Sequence, residues 1–92
     1  MPINLESLYS SEAAAWIDDE SLDAVFIDAN HTYAALSADL RAWMPKVRRG
    51  GLVSGHDFSI FFHGVVQAVL EVLPEEVTLQ LAADTVWFFF KP

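Results

Sequence analysis

The chain has 92 residues, 53% of them hydrophobic and seven of them Phe, and thirteen acidic against five basic residues leave a net charge of −8. A chain this apolar is not disordered, and one this acidic lacks the basic face that phosphate backbones require, which excludes a nucleic-acid partner. Without cysteine there is no disulfide framework or thiolate metal site, and the apolar run Val86-Trp87-Phe88-Phe89-Phe90 is far too short to cross a membrane.

The first six residues, Met1-Pro2-Ile3-Asn4-Leu5-Glu6, lack the basic start and apolar core of a signal peptide, so the expected location is cytoplasmic. Residues 1–9 form an N-terminal extension to one small domain that fills residues 1–92. Chains of this size bury only a little over half of the surface they expose when unfolded. The surplus of apolar surface predicts an oligomer or a missing partner domain.

Residues 10–18, Ser-Ser-Glu-Ala-Ala-Ala-Trp-Ile-Asp, read as a short helix capped by Ser10 or Ser11, with the alanines and Trp16 facing inward. After a polar turn, the core of the segment Leu22 to Asp28 is a continuous apolar run ending in a carboxylate, the pattern of a parallel strand covered on both faces. Thr32 can cap the next helix, whose stripe is Leu36, Leu40, Trp43, Met44 and Val47, with Pro45 kinking its last turn. Arg48-Arg49-Gly50-Gly51 reads as the helix stop. Arg41, Lys46, Arg48 and Arg49 then sit in the last turns of that helix, where its dipole favours positive charge, rather than forming an anion site.

Leu52 to Asp57 is a short strand ending in two polar residues. Gly64 to Leu73 is an amphipathic helix with Val65, Val66, Val69, Leu70 and Leu73 toward the core, closed by Pro74. Val77–Leu81 and Thr85–Phe90 are two strands joined closely enough for a hairpin. The order predicts an α/β fold: a truncated, Rossmann-like half-domain with a four-stranded, mostly parallel sheet, a C-terminal antiparallel hairpin and flanking helices.

Ligands of open α/β sheets bind beyond the carboxyl ends of the parallel strands. Two strands here end in Asp28-Ala29-Asn30-His31 and His56-Asp57. If they are neighbours, two carboxylates and two imidazoles converge, suited to general-base work or to a divalent cation such as Mg or Mn. The structural alternative is that Asp28 caps the following helix and His31 packs beside it. His63 reads as a helix-start or surface residue, and Trp16, Trp43 and Trp87 as core.

The segment Leu22 to Tyr33, L-D-A-V-F-I-D-A-N-H-T-Y, resembles the fourth-strand region of class I S-adenosylmethionine-dependent methyltransferases, in the branch reading roughly D-x-V-F-I-D-G-D-H-S-Y. The likeness continues through Asp39-Leu40-Arg41-Ala42-Trp43-Met44-Pro45. It runs on through Val47 to Asp57, similar to L-R-P-G-G-x-I-x-G-H-D, and through Gly64 to Val69, similar to G-V-x-x-A-V. It covers Ser10 to Pro92 in order. The resemblance implies S-adenosylmethionine as cofactor, with Ser11, Glu12 and Ala13 against the adenine ring. It implies catalytic roles for Asp28, His31, His56 and Asp57, with Asp28 and Asp57 as metal ligands in cation-dependent relatives and His31 or His56 as the base on an acceptor hydroxyl. Ala29 and Asn30 stand where the branch has Gly and Asp.

By the same resemblance, three strands and a glycine-rich loop should precede Ser10, whereas nine residues do, none of them glycine. The expectation is therefore the C-terminal half of a methyltransferase, lacking the cofactor-binding half and not catalytic as an isolated chain. The alternatives are a non-enzymatic oligomeric or interaction module, or one part of a split methyltransferase acting on a small-molecule or glycan hydroxyl. The strand Ala24–Ile27 would expose a bare edge, which predicts a homodimer or higher oligomer unless Ile3-Asn4-Leu5 folds back over it.

Overall fold

A computed structural model describes residues 2–5 (as backbone), 13–27 and 32–92. Among the described residues five strands form one sheet in the order β1-β2-β3-β5-β4: β1 (Pro2–Leu5), β2 (Leu22–Ile27), β3 (Val47–Gly55), β4 (Gln80–Leu81) and β5 (Trp87–Phe90). Helix α1 (Tyr33–Trp43) connects β2 to β3, and α2 (His63–Val72) follows β3. The pairs β1–β2 and β2–β3 are parallel, while β3–β5 and β4–β5 are antiparallel. The α/β, Rossmann-like expectation holds, with a sheet that is mixed rather than mostly parallel and has five strands rather than four. The added strand is the N-terminal segment itself, lying parallel on the edge of β2 that was expected to be bare.

Alternation along the strands sorts the sheet into two faces. Val25, Val53 and Phe89 are register partners on one face, and all three are buried. They join Ile27 and Trp87 from the strands, Leu36, Leu40 and Trp43 from α1, and Val65, Ala68 and Val69 from α2 in one core. The two helices pack against each other over this face. On the opposite face Ala24, Phe26, Leu52 and Phe88 are half-buried and Phe90 is exposed, and no helix of the described residues covers them. The polar member of that face, Ser54, is buried and donates its hydroxyl proton to the Val25 carbonyl at 3.0 Å.

The α1 boundaries follow from local chemistry. Thr32 caps the start by accepting from the Ala35 amide at 3.3 Å. Pro45 converts the end into a 3-10 turn at Met44–Lys46. The Lys91 ammonium donates to the Met44 and Val47 carbonyls there, at 3.1 and 2.8 Å.

Several local expectations are corrected. Arg48-Arg49-Gly50-Gly51 is not a helix stop but the first half of β3, which places four residues between Val47 and Leu52 where β2 has one between Leu22 and Ala24. This bulge needs both glycines: Gly50 has φ +78°, and a Cβ on Gly51 would lie 2.9 Å from the Asp23 carbonyl. Val47 belongs to β3, although it is buried as expected. Of the four clustered cations, only Arg41 lies in the last turn of α1.

The described part of the expected first helix is a 3-10 turn at Ala14–Trp16, with Ala14 buried but Trp16 89% exposed. Leu70, expected inward, is 52% exposed. The hairpin forms, but its strands are shorter than expected and a 3-10 turn at Ala83–Thr85 joins them. No helix among the described residues is long and apolar enough to cross a membrane.

Candidate functional site

The parallel pairing of β2 with β3 sets Ile27 opposite Gly55, so the carboxyl ends of these strands are neighbours, as the strand-end argument requires. Of the residues expected there, Asp28 and His31 lie outside the described residues, as do Ser11 and Glu12. Ala13 precedes the 3-10 turn and is exposed. His56 and Asp57 follow Gly55 directly, and His56 Nδ1 lies 3.0 Å from Asp57 Oδ1. The imidazole side chain keeps 37% of its surface exposed and the carboxylate 17%, so the accessible group is the histidine and the sheltered one its partner. A proton on Nδ1 would face this carboxylate and would leave Nε2 to accept, the arrangement a general base needs.

The backbone at this end is held in uncommon conformations. Asp57 has φ +64°, and across from it Asp84 and Thr85 have φ +60° and +61°. A β-branched residue rarely adopts this region. The two segments are tied together by the Phe58 amide, which donates to the Thr85 carbonyl at 3.0 Å. Strained backbone of this kind persists where surrounding contacts over-determine it, and it concentrates at functional sites.

Between Asp57 and α2 the chain makes a tight turn. Ser59 N donates to the Asp57 carbonyl at 3.0 Å, Phe62 N to the Ser59 carbonyl at 3.1 Å, and Phe61 N to Ser59 Oγ at 3.2 Å. Phe58 and Phe62 pack on the core, whereas Ile60 and Phe61 point outward, 77% and 84% exposed. Sequence reasoning missed these two residues. Their only signal was an apolar stretch with neither helical nor strand periodicity, directly after a strand end.

The end of the sheet beyond Gly55 carries no lysine or arginine. All five lie at or toward the opposite end: Arg41 in the last turn of α1, Lys46, Arg48 and Arg49 around the start of β3, and Lys91 bonded to Met44 and Val47. Three of them meet acids there. Lys46 pairs with Asp19 at 2.7 Å, Arg48 with Asp23 at 3.0 Å and Arg49 with Glu20 at 3.7 Å.

The donors present bear on what could be held. Among the described residues no three His, Asp or Glu side chains converge, and the expected metal pair of Asp28 and Asp57 depends on a residue outside that set. A glycine cradle for S-adenosylmethionine is not built by this chain's glycines. Gly50 and Gly51 serve the bulge at the far end, Gly64 is in α2, and Gly55 is covered by Trp87, whose ring would lie 2.5 Å from a Cβ there. The buried Trp87 Nε1 has no hydrogen-bond partner among the described residues, at a cost of about 1–3 kcal/mol for an unpaired buried donor.

A sequence model described as a methyltransferase domain matches residues 3–58. The uncharacterised protein y4gI of Sinorhizobium fredii is 35% identical over 54 residues, which are 59% of this chain and 6% of that protein. A crystal structure of a protein from Corynebacterium glutamicum superposes on 89% of this chain and 44% of its own, with a TM-score of 0.69 at 14% identity. The apo structure of a TDP-rhamnose 3'-O-methyltransferase, an enzyme of calicheamicin biosynthesis, covers 75% of this chain and 31% of its own, with a TM-score of 0.62 at 19% identity. At these identities the two structural likenesses are likenesses of fold. The chain spans less than half the length of each of these matching proteins.

Proposed function

The chain belongs to the methyltransferase domain family, and from that premise we propose that it forms the acceptor side of an S-adenosylmethionine-dependent methyltransferase acting on a hydroxyl group. The observation that carries this reading is the His56–Asp57 pair at 3.0 Å, at the carboxyl end of β3. Asp57 fixes the imidazole tautomer and orientation through Nδ1, and Nε2 accepts the proton of the acceptor hydroxyl. No step is assigned to a metal.

The cofactor cradle comes from outside these 92 residues, either elsewhere in a longer chain or on another chain, because every glycine present is committed to another role. By this reading the 92 residues alone are not catalytic. Their part is to align the acceptor, and alignment of reactants is a large share of what a transferase contributes.

A second reading, a non-enzymatic module that binds a second copy of itself or a partner chain, is favoured by one observation. The sheet face formed by Ala24, Phe26, Leu52, Phe88 and Phe90 is apolar and uncovered among the described residues.

Isothermal titration with S-adenosylhomocysteine, with and without Mg²⁺, on a sample whose mass is fixed by light scattering tests the enzymatic reading for the assembly this chain forms. Micromolar binding by an oligomer means that assembly rebuilds the cofactor site. No heat from a folded oligomer removes self-assembly as the source of the cradle and moves the interaction module ahead.

A further inference from the structure

Resting on the reading of this strand end as an acceptor site, we propose that the turn Ser59–Phe62 is its recognition wall, and that it selects an uncharged, ring-bearing hydroxyl compound over a phosphorylated or nucleotide-linked one. Two independent observations carry this.

The first is apolar. Ile60 and Phe61 stand outward on a turn that begins two residues after the His56–Asp57 pair. Their exposure is not that of a loose loop. Hydrogen bonds from Phe58, Ser59, Phe61 and Phe62 fix the turn, and Phe58 and Phe62 anchor it in the core on either side. Scattered single hydrophobics on a surface need no explanation, but two adjacent large ones on a rigid turn beside a reactive pair form a preorganised platform. An aromatic ring and an aliphatic side chain offer contact area to a ring, at low entropic cost because the backbone is already ordered.

The second is electrostatic. Phosphate and carboxylate groups are recognised by arginine, lysine or free amides at a helix N-terminus. Every lysine and arginine of the chain lies at or toward the other end of the sheet. The amides of Val65 and Val66 at the start of α2 already donate to the Phe62 carbonyl, at 3.0 and 3.3 Å, so a helix-end anion contact would rest on those of His63 and Gly64 alone. What this end does carry is Asp57 and, across the Phe58–Thr85 hydrogen bond, Asp84. An anionic acceptor would meet like charge and no lysine or arginine of this chain.

The test is amide-resolved NMR of the full 92-residue chain titrated with 2-naphthol and, separately, with 2-naphthyl phosphate. The two probes share a ring system and differ in the charged group. The expected result is perturbation of Ile60, Phe61 and His56 by 2-naphthol, with the phosphate binding at least about tenfold more weakly, the equivalent of one uncompensated interaction with like charge. Phe61→Ser should abolish the naphthol response while leaving resonances of the core unchanged, since its side chain is exposed. Equal or tighter binding of the phosphate overturns the proposal, as does a response that avoids the turn. Shifts at Ile60 and Phe61 that grow with protein concentration in the absence of probe overturn it too, by assigning the turn to a second copy of the chain. A parallel titration with S-adenosylhomocysteine reads cofactor binding separately. Naphthol binding at the turn without cofactor binding would uphold the wall's chemistry and show that this chain does not rebuild the cofactor cradle by itself.

Discussion

The indole of Trp87 lies in the space that a side chain at Gly55 would need: a Cβ there would come within 2.5 Å of the ring and 2.7 Å of the Ile27 carbonyl oxygen. Glycine at the last position of β3 is therefore a packing requirement of the antiparallel β3–β5 pair. Gly55→Ala should destabilise the chain by about 1–3 kcal/mol, the usual range for overpacking a filled core. Urea unfolding gives the number. Adding Trp87→Phe should recover part of the loss but not all, because the Ile27 carbonyl contact remains. Wild-type stability in the single variant would refute the packing relationship.

Three tryptophans occupy two environments. Trp43 and Trp87 are fully enclosed, whereas Trp16 is solvent-facing. Iodide should quench one emission component and spare the rest, and Trp16→Phe should remove the quenchable component with little change in stability. If all three prove inaccessible, an oligomer interface covers Trp16.

How far the sequence discloses this arrangement depends on where each element takes its stability. The strand at Leu22–Ile27 and the stripe Leu36, Leu40 and Trp43 are legible because burial imposes its own period on the residues. The strand-end rule likewise pointed to His56 and Asp57. Arg48-Arg49-Gly50-Gly51 misleads because its local chemistry is that of a helix end. Its conformation is instead decided by distant partners, the Asp23 carbonyl on β2 and the Lys91 backbone beyond β5. Ile60 and Phe61 mislead in the opposite sense, since composition alone assigns such residues to a core. Only the turn hydrogen bonds through Ser59 and Asp57 turn them outward. The strain at Thr85 has no signature in its residue type at all.

Two ionisable contacts set opposite pH limits. Tyr33 on α1 donates its hydroxyl proton to Glu71 on α2, and this bond raises the phenol's pKa above its ordinary 10.0. The folded state thus holds the proton more tightly, so the contribution is complete below pH 10 and lost as pH rises through the folded value. At the other end of the range, the hydrogen bond and charge of Lys46 lower the Asp19 pKa below 3.8. That contribution is present above the ordinary value and lost as pH falls through the folded one. Urea midpoints of wild type and Tyr33→Phe should differ by a constant amount from neutral pH to about 9, then converge above 10. For Lys46→Met the gap should narrow in acid. A Tyr33→Phe gap that widens in alkali would contradict the assigned direction.

In the methyl-transferring assembly, His56→Gln should lower kcat by about 10²–10⁴-fold, the usual contribution of a positioned base, with KM changed little. The half-exposed imidazole makes this a fair test, because its removal opens no cavity. Asp57→Ala should act differently. Losing the Nδ1 partner frees the ring to rotate and to change tautomer, so kcat falls by less than in His56→Gln and is not restored by buffer imidazole. Exogenous imidazole should instead rescue a His56→Gly variant, where space and the aspartate both remain. Full turnover in His56→Gln would move the base elsewhere and leave the pair at the end of β3 with a purely structural task.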